Sequence, residues 1–266
     1  MELERNPTTS KTNAKFWGHR ARDWAEFQEQ SVLPVYHEVL RRTEVGNGTT
    51  YLDVGCGSGM AVNLAADLGA DVSGIDASED LLAIAKERVP SANIYSGDME
   101  ELPFEDNSFD VVTGFNSFQY AGNPVIALAE ARRVTKPNGY VVIMTWGEPE
   151  GMEAASIVAA LKPVLPAAPP GAPGPFALSD ETVLRSFAIS AALQPMSVFD
   201  VQSPWNYPDK AAAMRGLGSS GVAARAMSHS GENAVDAAHA KAIAPFRKPD
   251  GSYHINAIFR CLLARP

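Results

Sequence analysis

Apolar positions near the start of the chain recur at helical spacing. Trp17, Ala21 and Trp24 fall at i, i+4 and i+7, and Tyr36, Val39 and Leu40 share a second face. The polar residues before Ala14 are expected to fray. Gly46 and Gly48 end this segment ahead of TTYLDV, a short β-branched run. Strand-like and helix-like stretches then alternate. The helices are predicted over Ala61 to Leu68, over Glu79 to Val89 opened by Ser78, and over Val125 to Val134. Between them DVSGID, ANIYSGD, FDVVTGF and GYVVIMTW read as strands. Continuous apolar strands separated by amphipathic helices predict a parallel sheet covered on both faces.

The second half reads differently. Lys162 to Pro175 holds six prolines and is expected to be a stiff, irregular connection. A helix follows, with Ser179 expected as its cap and Asp180 and Glu181 in the first turn. PMSVFDVQSPW is a sixth predicted strand and HINAIFRCLLA a seventh. The intervening segment is far too long for a hairpin loop, and carries helical stretches around Asp209 to Leu217 and Glu232 to Ala244. In the latter, Val235, Ala238, Ala242 and Ile243 form a stripe that must bury against something. The division expected is a helical cap over 1–48, a core over 49–205 and 252–266, and a helical lid over 206–251.

Composition narrows the partners. The 266 residues carry a net charge of −9, so a clustered basic footprint for nucleic acid is missing. Two cysteines, Cys56 and Cys261, form no disulfide framework and no multi-cysteine zinc site, and the five histidines show no ligand spacing with carboxylates. No metal is expected. The N-terminus lacks an apolar signal-peptide region and no run is long enough to span a membrane, which points to a cytoplasmic location.

The sharpest chemical signal is YLDVGCGSG, residues 51–59. Asp53 ends a strand, and Gly55, Gly57 and Gly59 turn the chain into a helix N-terminus where backbone N–H groups meet a ligand. Alone it fits a plain turn or the phosphate loop of a nicotinamide enzyme. The next strand ends supply Asp76, placed for the two hydroxyls of a ribose, then Asp98 with Met99, then Asn116 and Gln119. Four successive strand ends thus offer nucleoside- or amino-acid-binding groups around one crevice.

The segments YLDVGCGSG, GIDASEDLLAIAKER, SGDMEELPFEDNSFDVV and EARRVTKPNGYVVI resemble, in order and spacing, the class I S-adenosylmethionine (SAM) dependent methyltransferases. They look most like the small-molecule group that includes the ubiquinone/menaquinone-type enzymes, methyltransferase type 11. The resemblance covers residues 14–147. It implies an α/β, Rossmann-like, doubly wound sheet of seven strands in order 3-2-1-4-5-7-6, with strand 7 antiparallel. It also implies SAM as cofactor and S-adenosylhomocysteine (SAH) as product. Matched by motif, Gly55, Cys56 and Gly57 would meet the methionine end, with Asp53 beneath them. Asp76 would take the ribose hydroxyls, Ala77 and Ser78 would flank the adenosine, and Asp98 and Met99 would read the adenine. Asn116 would sit by the methionine amino group with Gln119 beside it. Trp24 stands where relatives carry a covering tyrosine.

Methyl transfer from a sulfonium is an in-line displacement that needs alignment and dryness more than a metal. A hydroxyl or amine acceptor also needs a base, for which His19, His229 and Glu148 are the candidates. Trp17, Phe118, Tyr120, Trp146 and Trp205 are the candidate lining of an acceptor pocket, implying a small, fairly apolar molecule. Two alternatives stay open: a non-catalytic SAM or nucleoside binder, and a nicotinamide-dependent oxidoreductase. For the second, the fingerprint's third glycine is replaced by Met60.

Overall fold

The computed structural model describes residues 7–168 and 174–266. Its centre is a seven-stranded sheet in order β3-β2-β1-β4-β5-β9-β6. The strands are β1 (Thr50–Val54), β2 (Asp71–Asp76), β3 (Asn93–Ser96), β4 (Phe109–Phe115), β5 (Thr135–Trp146), β6 (Gln194–Gln202) and β9 (Ile258–Arg265). Neighbours from β3 to β5 pair in parallel, whereas β9 runs antiparallel to both β5 and β6. This is the expected Rossmann-like topology, with β9 as the predicted seventh strand.

The helices follow the local signals. They are α1 (Ser10–Gly18), α2 (Ala21–Asp23), α3 (Leu33–Arg42), α4 (Met60–Asp67), α5 (Glu79–Arg88), α6 (Pro124–Val134), α7 (Glu153–Ala160), α8 (Glu181–Ser190), α9 (Lys210–Gly218), α10 (Gly221–Ser230) and α11 (Glu232–Ile243). Ser78 caps α5 by accepting from the Leu81 N–H, while Glu79 and Asp80 favour the dipole at that end and Lys86 and Arg88 the other. Part of the predicted proline-rich connection, residues 169–173, lies outside the described residues.

Four local expectations are corrected. Asp180, not Ser179, caps α8: its carboxylate accepts from Val183 N at 2.9 Å, and the Ser179 hydroxyl turns back to the Phe176 carbonyl at 2.7 Å. The N-terminal helix is not continuous. It stops at Gly18 and resumes through a wide turn at Trp24–Gln28 and a tight one at Glu29–Val32. Trp205 and His254 do not extend the sixth and seventh strands. They belong to a separate hairpin of β7 (Trp205–Tyr207) and β8 (Tyr253–Ile255) at the base of the insertion. Pro204 has no N–H to continue the β6 ladder, and the Ser203 hydroxyl leaves it for the Ser31 carbonyl at 2.6 Å. The insertion also has a third helix, α10, capped by Ser220. Its glycines disguised it, yet Gly221 is demanded by packing: a Cβ there would meet the Trp17 indole at 2.6 Å.

The apolar core lies on both sheet faces. On one, Leu52, Val112 and Ile143 meet Leu128 and Leu184; on the other, Val142, Met144 and Phe259 meet Val35 and Val39. Phe118, a candidate pocket residue, is fully buried in the first group and presents no surface to a ligand. A Cβ on Gly114 would lie 2.2 Å from the Phe118 ring. Gly114→Ala should therefore force that ring off its place and destabilise the protein by about 1–3 kcal/mol. A urea titration showing an unchanged midpoint would place Phe118 in a looser environment than this.

Candidate functional site

The loop between β1 and α4 is shaped by three left-handed glycines, Gly55 (φ 77°), Gly57 (φ 54°) and Gly59 (φ 80°). It is pressed onto β2, for the N–H groups of Gly55 and Cys56 both donate to the Ile75 carbonyl, at 2.8 and 3.0 Å. Gly55 has a second reason to be glycine, since a Cβ would meet that of Ser117 at 2.5 Å. Ser117 in turn donates to the Val54 carbonyl at 2.6 Å. The Cys56 side chain is buried toward Gly74, and burial pushes its thiol well up, so it is no nucleophile.

Asp76 ends β2 and faces this loop. Its carboxylate accepts from Gly57 N at 2.9 Å and from Ser78 N at 2.8 Å. Burial raises its pKa, against the lowering by those N–H groups and that of Ala77. A carboxylate has about four lone-pair positions, so beyond these three N–H groups capacity for a further donor remains. Asp53, 2% exposed, lies under the loop and accepts from the Thr113 hydroxyl at 2.8 Å, which the Tyr51 hydroxyl meets at 2.7 Å. Burial, with Asp76 and Glu29 nearby, lifts the Asp53 carboxyl to about 7.

Beyond β3, Asp98 accepts from Glu100 N at 3.0 Å. Met99 packs against the core, and Glu100 holds Asn123 through both its backbone and side-chain nitrogens. Beyond β4, Asn116 adopts the left-handed conformation at φ 55°, which asparagine tolerates better than most residues. Its Oδ1 accepts from Gln119 Nε2, leaving Gln119 Oε1 buried with no partner.

Two further layers cover these strand ends. In the N-terminal cap, a Cβ on Gly18 would lie 2.8 Å from Ser78 Oγ, so α1 passes directly over the start of α5. Trp17 meets Trp24 edge to face at 5.1 Å and Tyr120 at 5.7 Å. The Trp24 Nε1 lies 3.8 Å from where a Cβ on Gly57 would be. Thr9 and Asn13 tie α1 to the Tyr120 carbonyl, at 2.6 and 2.8 Å. The insertion joins the cap from the other side. Arg215 of α9 binds Asp23 at 2.7 Å and stacks over Phe27 at 4.2 Å, and Arg20 pairs with Glu232. The Tyr207 hydroxyl donates to Gln28 Oε1 at 2.6 Å in a buried contact.

Beneath the insertion is an aromatic wall. Trp146, at the end of β5, stacks on Phe259 at 4.7 Å and meets Trp205 at 5.9 Å and Phe176 at 6.0 Å. Trp205 is 4% exposed, and its indole N–H is buried without an acceptor. The buried stripe of α11 is Val235, His239 and Ile243, centred on a histidine rather than on Ala238 and Ala242. Burial pushes His239 down to about 4, so it is neutral at pH 7. The candidate bases are less engaged. His19 and His229 are exposed, and Glu148 is exposed and paired with Arg260 at 3.0 Å.

Glu29 and Arg88 went unnoticed in the sequence. Glu29 has no local signal, because its burial depends on a turn that periodicity does not reveal. Arg88 is legible only as a basic residue in the last turn of a helix. The two pair at 2.6 Å beside the glycine loop.

Residues 52–143 match the methyltransferase domain family of type 11. A demethylmenaquinone methyltransferase from Staphylococcus aureus is 40% identical over 117 residues, 42% of this chain and 48% of that protein. The chain thus spans about half the length of the curated relatives it matches. Among solved structures, the [4+2]-cyclase SpnF superposes with a TM-score of 0.57 at 24% identity, covering 87% of this chain and 80% of the other. A candidate methyltransferase from Bacillus halodurans gives 0.58 at 15% identity, covering 86% and 97%. At these identities the structural likenesses show the fold alone.

Asp53 provides a test of the site's electrostatics. Its folded pKa of about 7 stands above the usual carboxylate value. The group's contribution is therefore fully present below the unfolded pKa and is lost as pH rises through 7. Asp53→Asn removes this loss. Its stability relative to the parent should rise by roughly 2–4 kcal/mol between pH 4 and pH 8, read from urea titrations of the ligand-free protein. A pH-independent difference would mean that Asp53 is not the group that titrates.

Proposed function

We propose that this chain, whose core is a class I methyltransferase domain of the small-molecule type, is a SAM-dependent methyltransferase acting on a small, fairly apolar, ring-bearing acceptor. The observation that carries the reading is the convergence of Asp76, the Gly55–Gly59 loop, Asp98 and Asn116 with Gln119 at successive parallel strand ends.

The residues present fit the cofactor. Asp76 retains lone-pair capacity for a ribose hydroxyl. Ser78 serves as the α5 cap and, with Ala77, leaves backbone to flank an adenosine; Asp98 and Met99 stand one strand further on. Gln119 Oε1 is a buried acceptor awaiting a donor such as an ammonium group, and Asn116 orients it. Trp24 covers Gly57, with its Nε1 3.8 Å from where a Cβ would be, and so shields the loop against which a methionine chain would lie. When bound, SAM supplies an electrophilic methyl on a positively charged sulfur, which the Asp53 and Asp76 carboxylates favour electrostatically.

The chain's own work is alignment and exclusion of water. In this reading the Trp17, Trp24 and Tyr120 cluster and the Trp146–Trp205 pair line the acceptor space, and the insertion acts with the cap as a lid. The unpartnered Trp205 N–H is buried, so it would meet an oxygen of the acceptor with the insertion displaced. A quinone-type acceptor, such as that named for the Staphylococcus aureus relative, has this chemistry. His19, His229 and Glu148 stay on the surface side of this arrangement, so proximity and desolvation carry the rate in this reading.

Two measurements test it. A hydroxyl donating to a carboxylate contributes about 1.5–3 kcal/mol, so Asp76→Ala should weaken SAM binding at least about tenfold by calorimetry. Unchanged affinity in a folded variant would remove Asp76 from the site. The lid assignment predicts that Arg215→Glu, which places a third acid beside Asp23 and Glu26, raises KM for an acceptor found by screening demethylated quinones. SAH affinity should change much less. Equal losses in both would show that the insertion serves the cofactor rather than the acceptor.

A further inference from the structure

Near the cofactor loop lies a charged pair that the proposed chemistry does not use. Glu29 Oε2 meets Arg88 Nη1 at 2.6 Å, with side-chain exposures of 3% and 23%. The same Arg88 nitrogen donates to the Ser58 carbonyl at 2.8 Å, and Glu29 Oε1 accepts from Met60 N at 3.3 Å. The two charges thus grip the loop on both sides of Gly59, where it becomes α4.

Glu29 also belongs to the strap that covers this loop. The wide turn Trp24–Gln28 closes with the Glu29 N–H donating to the Trp24 carbonyl. Such turns are rare and recur at functional sites. One residue therefore bonds through its backbone to Trp24, whose ring sits over Gly57, and through its side chain to the loop beneath. Removing a carboxylate and a guanidinium from water is costly, and apolar residues of similar size commonly stabilise a fold as well or better. A buried pair here is poorly explained by stability alone. What it supplies is direction: two charge-assisted contacts fix the height of the strap against the loop.

We propose that Glu29 and Arg88 are positioning residues that lock the Trp24 strap onto the glycine loop, so that the loop and its aromatic cover are preorganised together for the cofactor. The proposal rests on the methyltransferase reading for the identity of the ligand, but not for the clamp itself. Arg88 reaches the loop from the other side, from the last turn of α5. Strap, loop and the end of α5 are thereby connected through one ion pair.

The test uses the full chain and SAH as the probe. Glu29→Gln keeps size and loses charge; Arg88→Met keeps most of the volume and loses the fork. Each should weaken SAH binding about tenfold or more, mainly through faster dissociation by stopped flow. The double variant should be no weaker than either single one, since both remove the same clamp. Hydrogen exchange read without ligand should show faster exchange in a loop peptide containing Met60 and in the strap, with β4 and β5 unchanged. If Glu29→Gln does not fold, Glu29→Asp, which keeps the charge but cannot reach as far, replaces it with the same expectations. Unchanged SAH affinity and exchange in folded single variants, or additive losses in the double variant, would overturn the clamp. A parent protein that fails to bind SAH, while the variants still loosen strap and loop, would overturn the methyltransferase reading and leave the clamp standing.

Discussion

The architecture depends on one tight turn. Between β1 and α4 the chain must reverse from a buried strand into a helix while lying against β2, and the shared Ile75 carbonyl holds it there. Only residues without Cβ atoms allow this approach, because Ser117 already fills the space next to Gly55 and Ala85 lies 2.9 Å from a Cβ on Gly59. The same closeness that packs the loop also brings Gly57 N to Asp76. Fold and the proposed binding chemistry are therefore two consequences of a single steric constraint.

Around that turn the protein concentrates negative charge in a poorly solvated place. Asp53, Asp76 and Glu29 lie close enough to raise one another's or a neighbour's pKa, and Arg88 is the cation paired directly with one of them. Backbone N–H groups from Gly57 and Ser78 and the Thr113 hydroxyl offset part of the cost. A group of this kind is set up to gain from a cationic ligand, since the Coulomb interaction grows as water is excluded. The raised pKa of Asp53 and the proposed preference for SAM share this origin.

The cap and the insertion meet largely through side chains. Arg215 with Asp23, Arg20 with Glu232, and Tyr207 with Gln28 connect segments nearly two hundred residues apart in sequence. The ion pairs are partly exposed, and such pairs contribute little each and weaken with salt. The Tyr207–Gln28 contact is buried and more rigid. An enclosure that includes such exposed ion pairs can open locally without unfolding the core.

Much of this was legible in the chain alone. The alternation of strands and helices, the glycine turn, the polar groups at four strand ends and the Ser78 cap are all carried by local signals: periods of two or 3.6, residues that tolerate positive φ, and cap chemistry; the strand order is what the family resemblance implies. The same local reasoning misplaced what is governed by contacts distant in sequence. Asp180 replaced Ser179 because Ser179 found the Phe176 carbonyl. Trp205 left the sixth strand because Pro204 and Ser203 end the ladder and the β7–β8 hairpin pairs across the whole insertion. Helix α10 was hidden by Gly221, a glycine whose purpose is to receive Trp17. Phe118 went to the core because Gly114 makes room for its ring. Glu29 reads as one more acid in a polar stretch until the strap turns and buries it against Arg88. Sequence by itself determined which backbone shapes each segment accepts. Tertiary structure decided which side chains lose their water, since burial is a property of what lies opposite and not of the residue.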